Sequence, residues 1–197
     1  EPYKGILSDR LANYYGMVSK IDDDFSKLNQ ELIDLGLEDN TILIFMTDNG
    51  PCPWFGGIVM DFETGYPLEG YSAGMRGGKI WGYENAHRVP FLIRWPNEGI
   101  GGGKDIEALS AHIDLMPTLI DFCNLQTPDD LVYDGQSLAP LLMGEVNEWP
   151  ERTYITHNQR VQFVVKDKEY QVMQDKWRLV KREKDELYDI KADPGQR

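Results

Sequence analysis

The chain has 197 residues, 41% of them hydrophobic, enough for one sizeable core and a small second lobe. Its 33 Asp and Glu outnumber its 20 Lys and Arg, for a formal net charge of −13. Such a chain repels nucleic acid and anionic membranes except at a local basic patch, so no nucleic-acid partner is expected. It holds no apolar run of about 18 residues, so no segment is predicted to span a bilayer. Cys52 and Cys123 offer neither a disulfide framework nor metal-ligand spacing and read as small unpaired hydrophobes. The chain opens "EPYKGILSDR", without an initiator Met or a signal peptide, which predicts that sequence precedes it.

In chain order, Tyr14, Val18, Ile21, Phe25, Leu28, Leu32 and Leu35 recur at steps of four and three, one face of a helix. Ser8 or Asp9 can cap its start and Gly36 can end it. The run Asp22, Asp23, Asp24 does not converge on one ion, because successive helix residues point about 100° apart; it reads as a solvated face. Thr41–Met46 is an apolar strand without alternation, which predicts burial on both faces, as in a parallel sheet covered by helices. "RVPFLIRW", 88–95, is a second such run. The segment between them is rich in Gly and aromatics, a long loop of the kind that carries function. "SAHIDLMPTLIDFC", 110–123, fits a helix with Ile113, Met116, Leu119 and Ile120 on one face and Pro117 in its first turn or at a kink. From about residue 150 the texture changes to short strands, "RTYITHN", "QFVVKD", "EYQVMQD", "KWRLVKR" and "ELYDI", with "QDKW" as a hairpin turn. These predict an antiparallel meander packed by one face. The fold class is therefore α/β, with a main lobe over 1–148 and a small antiparallel subdomain over 149–197.

Two stretches carry chemistry. "TDNG", 47–50, ends the first strand. An Asn-Gly hairpin is the competing reading, but "PCPWFGG" follows, and its prolines and glycines ladder poorly. In open α/β sheets ligands bind beyond the carboxyl ends of strands, which is where Asp48 and Asn49 fall. A carboxylate and an amide oxygen are hard donors that suit Ca²⁺ or Mg²⁺. Two residues do not complete such a site, so further ligands must come from elsewhere. The second stretch, "MRGGKIWGYENAHRVPFLIRWP", sets Arg76, Lys79, His87, Arg88 and Arg94 against the single acid Glu84. Cations beside a metal suit an anionic, multi-oxygen group such as sulfate or phosphate. Arg88 and Glu84 read as a structural pair, and Lys79 as the functional cation.

In these stretches the chain resembles the C-terminal portion of the sulfatases, arylsulfatase-type sulfuric ester hydrolases of the alkaline phosphatase superfamily. The resemblance rests on "YYGMVSKIDDDFSKLNQELIDLGLEDNTILIFMTDNG", on Lys79 with Glu84 five residues on and then Arg88-Val89-Pro90, on "HIDLMPTLIDF" and "DGQSLAPLL", and on the terminal "ELYDIKADPG". It implies an alkaline-phosphatase-like mixed sheet flanked by helices. It implies that Asp48 and Asn49 are two ligands of an active-site Ca²⁺. It implies that Lys79 holds the sulfate and helps neutralise charge on the ester oxygen, with His87 facing substrate. Periplasmic or secreted location follows from the family alone. The family's Glu-Gly-Gly-x-Arg is here Glu84, Asn85, Ala86, His87, Arg88, a departure that bears on the local backbone. The family's nucleophile is a formylglycine made from the Cys or Ser of Cys/Ser-x-Pro-x-Arg, and no such motif occurs in the chain; "SAGMR", 72–76, is a near miss. The expectation is therefore a C-terminal part of a sulfatase, inactive alone, with the nucleophile upstream.

Two alternatives stand beside it: a related phosphate-ester hydrolase of the same superfamily, and a non-catalytic anion-binding module. The substrate expected is a sulfated small molecule or carbohydrate. Trp54, Tyr66, Tyr71 and Trp81 are candidates to stack on its ring, while His112 and His157 read as peripheral. A strand at 41–46 without all its neighbours leaves an open sheet edge and an apolar patch, which predicts self-association of the chain.

Overall fold

A computed structural model of the chain describes residues 2–54, 58–146, 148–159 and 161–197. The first helix, α1, runs Asp9–Asp34, with the Ser8 hydroxyl accepting the Leu11 N–H at 3.4 Å as its N-cap. It stops at Leu35, just before Gly36. The aspartates at 22–24 are exposed, and Asp24 pairs with Lys20 and Lys27. The apolar stripe is only partly covered. Leu11 and Ala12 are its buried residues and Phe25 meets Phe45 edge-on, whereas Ile21 and Leu35 are 53% and 65% exposed.

Next come β1 (Leu43–Met46), a two-stranded hairpin of β2 (Val59–Met60) and β3 (Pro67–Glu69), the one-turn helix α2 (Glu84–His87), and β4 (Phe91–Arg94). β1 pairs with β4 antiparallel, Leu43 opposite Arg94 and Met46 opposite Phe91. This corrects the parallel, doubly buried reading. A continuous apolar run records hydrophobicity but not strand direction, and here Met46 and Leu92 remain exposed. Among the described residues neither strand has a second neighbour, so both outer edges are open, as the sequence predicts.

A short 3₁₀ turn, His112–Asp114, leads into α3 (Leu115–Cys123), with Pro117 in the first turn, where no N–H partner is required. Of the predicted face, Ile113, Leu119 and Ile120 are half-buried and Met116 is exposed, while Thr118 is the buried residue of α3 and Asp114 is buried in the turn before it. After the short helix α4 (Ala139–Leu142), the chain forms a four-stranded antiparallel meander, β5 (Thr153–His157), β6 (Tyr170–Gln174), β7 (Trp177–Lys181) and β8 (Asp185–Asp189). "QFVVKD" is not one of its strands. Gln159 closes that segment on itself instead, donating to Val165 O at 2.8 Å and accepting from Val165 N at 2.7 Å. "QDKW" is the hairpin expected, Gln174 facing Trp177 across Asp175 and Lys176. The inner face of the sheet buries Tyr154, Gln171, Met173, Arg178 and Val180. Val180 joins Ile58, Met60, Trp81 and Tyr83 in the core, with Tyr188 packed alongside.

A buried clamp joins this sheet to α3. Asp114, fully buried, receives both Arg152 guanidinium nitrogens at 2.9 and 2.7 Å, the Tyr154 hydroxyl at 2.7 Å, and the backbone N–H groups of Ala111 and Gln136 at 2.8 and 3.0 Å. Burial pushes this carboxyl up, but the Arg152 bond and the other donors outweigh it and hold the carboxyl below the usual aspartate range.

Removing one partner of such a pair leaves an uncompensated charge, so Arg152→Met is expected to destabilise by about 3–5 kcal/mol in denaturant unfolding. Because the folded-state value lies below the unfolded one, Asp114 contributes stability above the unfolded pKa of about 3.9 and loses it as pH falls further. The melting temperature should fall steeply below about pH 4, and more gently in Asp114→Asn. The open edges of β1 and β4 and the bare stripe of α1 predict concentration-dependent association of this chain; a constant monomer in size-exclusion chromatography would count against it.

Candidate active site

β1 runs out into Thr47, whose N–H still reaches Pro90 O at 3.3 Å, and then into Asp48 and Asn49 at the strand's carboxyl end. The hairpin reading of Asn-Gly does not hold. Gly50 N–H donates to Ala86 O at 2.8 Å, far along the chain. A Cβ on Gly50 would sit 1.7 Å from Asn85 O, so only glycine permits this approach. One residue on, Pro51 O accepts the Lys79 N–H at 2.9 Å, and a Cβ on Gly78 would lie 2.7 Å from that same oxygen. The two stretches picked out by their chemistry are thus pinned together by backbone contacts, which brings Asp48, Asn49 and Lys79 to one region.

Asp48 and Asn49 each keep a side-chain oxygen without a partner among the described residues. Asn49 Nδ2 donates to Gly50 O at 2.8 Å, which fixes the amide and leaves its Oδ1 free to accept. Asp48 is exposed, with Oδ1 taking the Asn49 N–H at 2.9 Å and Oδ2 uncommitted. Two hard oxygens side by side fit a Ca²⁺ ion and fall short of its full shell of about six to eight. Among the described residues no group of three or more His, Cys, Asp or Glu side chains could complete it.

The basic run separates into two kinds of cation. Arg76 is spent on structure: Nη1 meets Glu186 at 3.1 Å and the Tyr188 hydroxyl at 2.9 Å, and the guanidinium lies 4.1 Å over the Tyr83 ring. Arg94 bonds Asn29 at 2.7 Å and Glu38 at 3.1 Å. Arg88 stands 3.6 Å from Glu84, the structural pair expected. Lys79 is half-buried, and its ammonium has no partner among the described residues.

α2 supports all of this from below. Glu84, 1% exposed, accepts from Arg178 Nε at 2.8 Å and lies 3.2 Å from His87 Nε2; its own N–H donates to the Gln196 side chain at 2.7 Å. His87 therefore has Nε2 turned to Glu84, while its buried Nδ1 has no partner among the described residues. Burial pushes the Glu84 carboxyl up, yet His87 and Arg178 together hold it below the usual glutamate value. Replacing the family's two glycines by Asn85 and Ala86 costs nothing in backbone strain, since both residues lie in a helical turn and neither has a positive φ. Asn85 uses its side chain as a further tie, donating to Gly77 O at 2.7 Å. Sequence reading missed Arg178 and Gln196, which hold α2 from far along the chain; no local pattern announces such a partner.

Of the stacking candidates, Trp81 is buried in the core and Tyr66 donates its hydroxyl toward Gly195 O and Gln196 O, so both are structural. Trp54 and Tyr71 are exposed. His112 and His157 are exposed, His157 against Tyr170, and both cysteines are free.

Two family models match the chain: Sulfatase over residues 3–125, and the C-terminal domain of N-sulphoglucosamine sulphohydrolase over residues 78–197. The chain is 26% identical to an N-acetylglucosamine-6-O-sulfatase of Bacteroides thetaiotaomicron over 93% of its own length and 30% of the relative's. It is 31% identical to an N-acetylgalactosamine-6-O-sulfatase of the same organism, over 92% of this chain and 37% of that one. The fold matches, with a TM-score of 0.67 and 24% identity, that of a Bacteroides thetaiotaomicron glycosaminoglycan-metabolism protein, covering 90% of this chain and 38% of that one. The chain thus spans about a third of the length of the relatives it matches. The architecture is alkaline-phosphatase-like. With the Sulfatase model covering well over half of it, the chain belongs to the sulfatase family and corresponds to its C-terminal portion.

Proposed function

We propose that this chain forms the metal- and anion-holding side of the active site of a sulfatase that hydrolyses aryl or carbohydrate sulfate esters. The observation that carries the reading is the backbone lacing of 48–51 to 76–87, with Lys79 as the cation of that run left without a partner among the described residues. Relatives named as sugar 6-O-sulfatases favour a carbohydrate ester.

Asp48 and Asn49 would hold a Ca²⁺ ion through Oδ2 and Oδ1. Bound there, the ion supplies fixed positive charge for the sulfate oxygens. The Lys79 ammonium donates to a sulfate oxygen and offsets charge that grows on the ester oxygen as its bond to sulfur breaks. His87, oriented by Glu84, would lie beside the substrate with its Nε2 turned to that carboxylate. The nucleophile is a formylglycine contributed by sequence outside this chain, so the chain alone turns nothing over.

The test is sulfate release by the longest native product that contains this chain. Lys79→Ala is expected to lower kcat/KM by about 10²–10³, the scale of losing one preorganised charge donor. Wild-type turnover in that variant would remove Lys79 from the site. Calcium should raise the melting temperature of the wild type and not of Asp48→Asn; a wild type indifferent to calcium and to chelator would remove the metal.

A further inference from the structure

Beside the Lys79 loop lies a surface that the sulfate-holding groups do not use. Trp54 and Phe62 are 44% and 54% exposed, and their rings are 6.0 Å apart with planes inclined by only 32°. Phe62 rests on Trp81 at 5.8 Å, and the Arg182 guanidinium covers the other end of the row, 5.0 Å from the Trp81 ring. The row is therefore an aromatic shelf with a cation at one end, in a chain whose net charge is −13.

The shelf is anchored to the Lys79 loop. Pro53 lies against Gly78, where a Cβ would meet Pro53 Cδ at 3.6 Å. Arg10 reaches from α1 to bond Pro53 O at 3.2 Å and Ile58 O at 3.1 Å, clamping the chain on both sides of residues 54–57. Two large apolar rings left in water at such a position lose solvation free energy that a ligand can recover. A pair of exposed aromatic rings does not match a lone inorganic anion. It matches the apolar face of a pyranose, whose hydroxyls stay in water at the rim while its C–H face covers the rings.

We propose that Trp54 and Phe62 form the subsite for the sugar ring of a sulfated carbohydrate, with Arg182 taking a second anionic group on the same or the adjoining sugar. The proposal rests on the sulfate-ester reading of Lys79 and adds the substrate's non-reacting part. Ring stacking supplies the contact and Arg182 the charge complement. An aryl sulfate would cover one ring and bring no second anion to Arg182, which within the protein meets the Tyr83 hydroxyl and the Glu186 carboxylate.

The experiment is a binding titration of the longest native product that contains this chain, using N-acetylglucosamine 6-sulfate and its 3,6-disulfate, with tryptophan fluorescence or calorimetry as the readout. Trp54→Ala and Phe62→Ala should each weaken binding about tenfold, on the scale of lost aromatic stacking. Trp54→Phe should recover most of the loss. Arg182→Ala should weaken the disulfate more than the monosulfate. Kd values within twofold of wild type in both alanine variants would overturn the subsite, even if Lys79→Ala abolished sulfate release. Conversely, absence of any sulfate release would sink the sulfatase reading while the titration still decided the shelf.

Discussion

The carboxylate of Glu84 is sealed from solvent, and the arrangement of the site depends on the guanidinium of Arg178 that meets it there. A buried carboxylate without partners costs several kcal/mol. Glu84 meets that cost with Arg178, His87 and Arg88. Arg178 is itself fixed, since it also donates to Asp175 O and Trp177 O around the β6–β7 hairpin. Position then propagates outward. The sheet sets Arg178, Arg178 sets Glu84, and Glu84 sets the single turn of α2. Asn85 and Ala86 in that turn hold Gly77 and Gly50, and those hold the Lys79 loop and the end of β1. A C-terminal meander that supplies neither the metal-holding nor the sulfate-holding groups proposed above thus sets where those groups stand.

The division of labour among the cations follows from their chemistry. Arg carries a planar fork of donors that suits carboxylates; Arg152 and Arg178 meet the buried Asp114 and Glu84, while Arg76 and Arg94 pair with the partly exposed Glu186 and Glu38. Lys carries a compact ammonium on a flexible stem and suits a point contact with an anion that comes and goes. Lys79 is in that position, its backbone tied to Pro51 and its side chain uncommitted among the described residues. Most of the charge in the basic cluster that the sequence shows therefore serves folding, with Arg76, Arg88 and Arg94 paired to carboxylates.

What could be read in the sequence was whatever repeats locally. The three-four spacing of α1, its Ser8 cap, the Asp175-Lys176 turn and the strand-end position of Asp48 all follow from neighbours a few residues apart. Burial did not follow. The α1 stripe and the run at 41–46 are apolar enough for a deep core, yet much of the stripe is exposed and the run is only half-buried, because hydrophobicity states what a residue favours and not whether a neighbour is present. "QFVVKD" failed as a strand for a similar reason: its β-branched residues fit a strand, but Gln159 offers the backbone a local closure instead. The long-range polar ties were illegible. Glu84 and Arg178 stand 94 residues apart, and Asp114 and Arg152 stand 38 apart, at no characteristic spacing.

Polar clamps of this kind contribute precision more than stability. The hydrophobic cluster around Trp81 and Tyr83 is small, and it would tolerate small displacements of the loops above it. Hydrogen bonds near 2.8 Å with fixed directions do not. Gly50 against Asn85 and Gly78 against Pro51 leave no room to slide. An electrostatic site gains its effect from groups already in place, since each ångström of misplacement is a cost met at the moment of reaction. These close approaches at Gly50 and Gly78 fall where the end of β1 meets the Lys79 loop, so the backbone at Asp48, Asn49 and Lys79 has little freedom to shift.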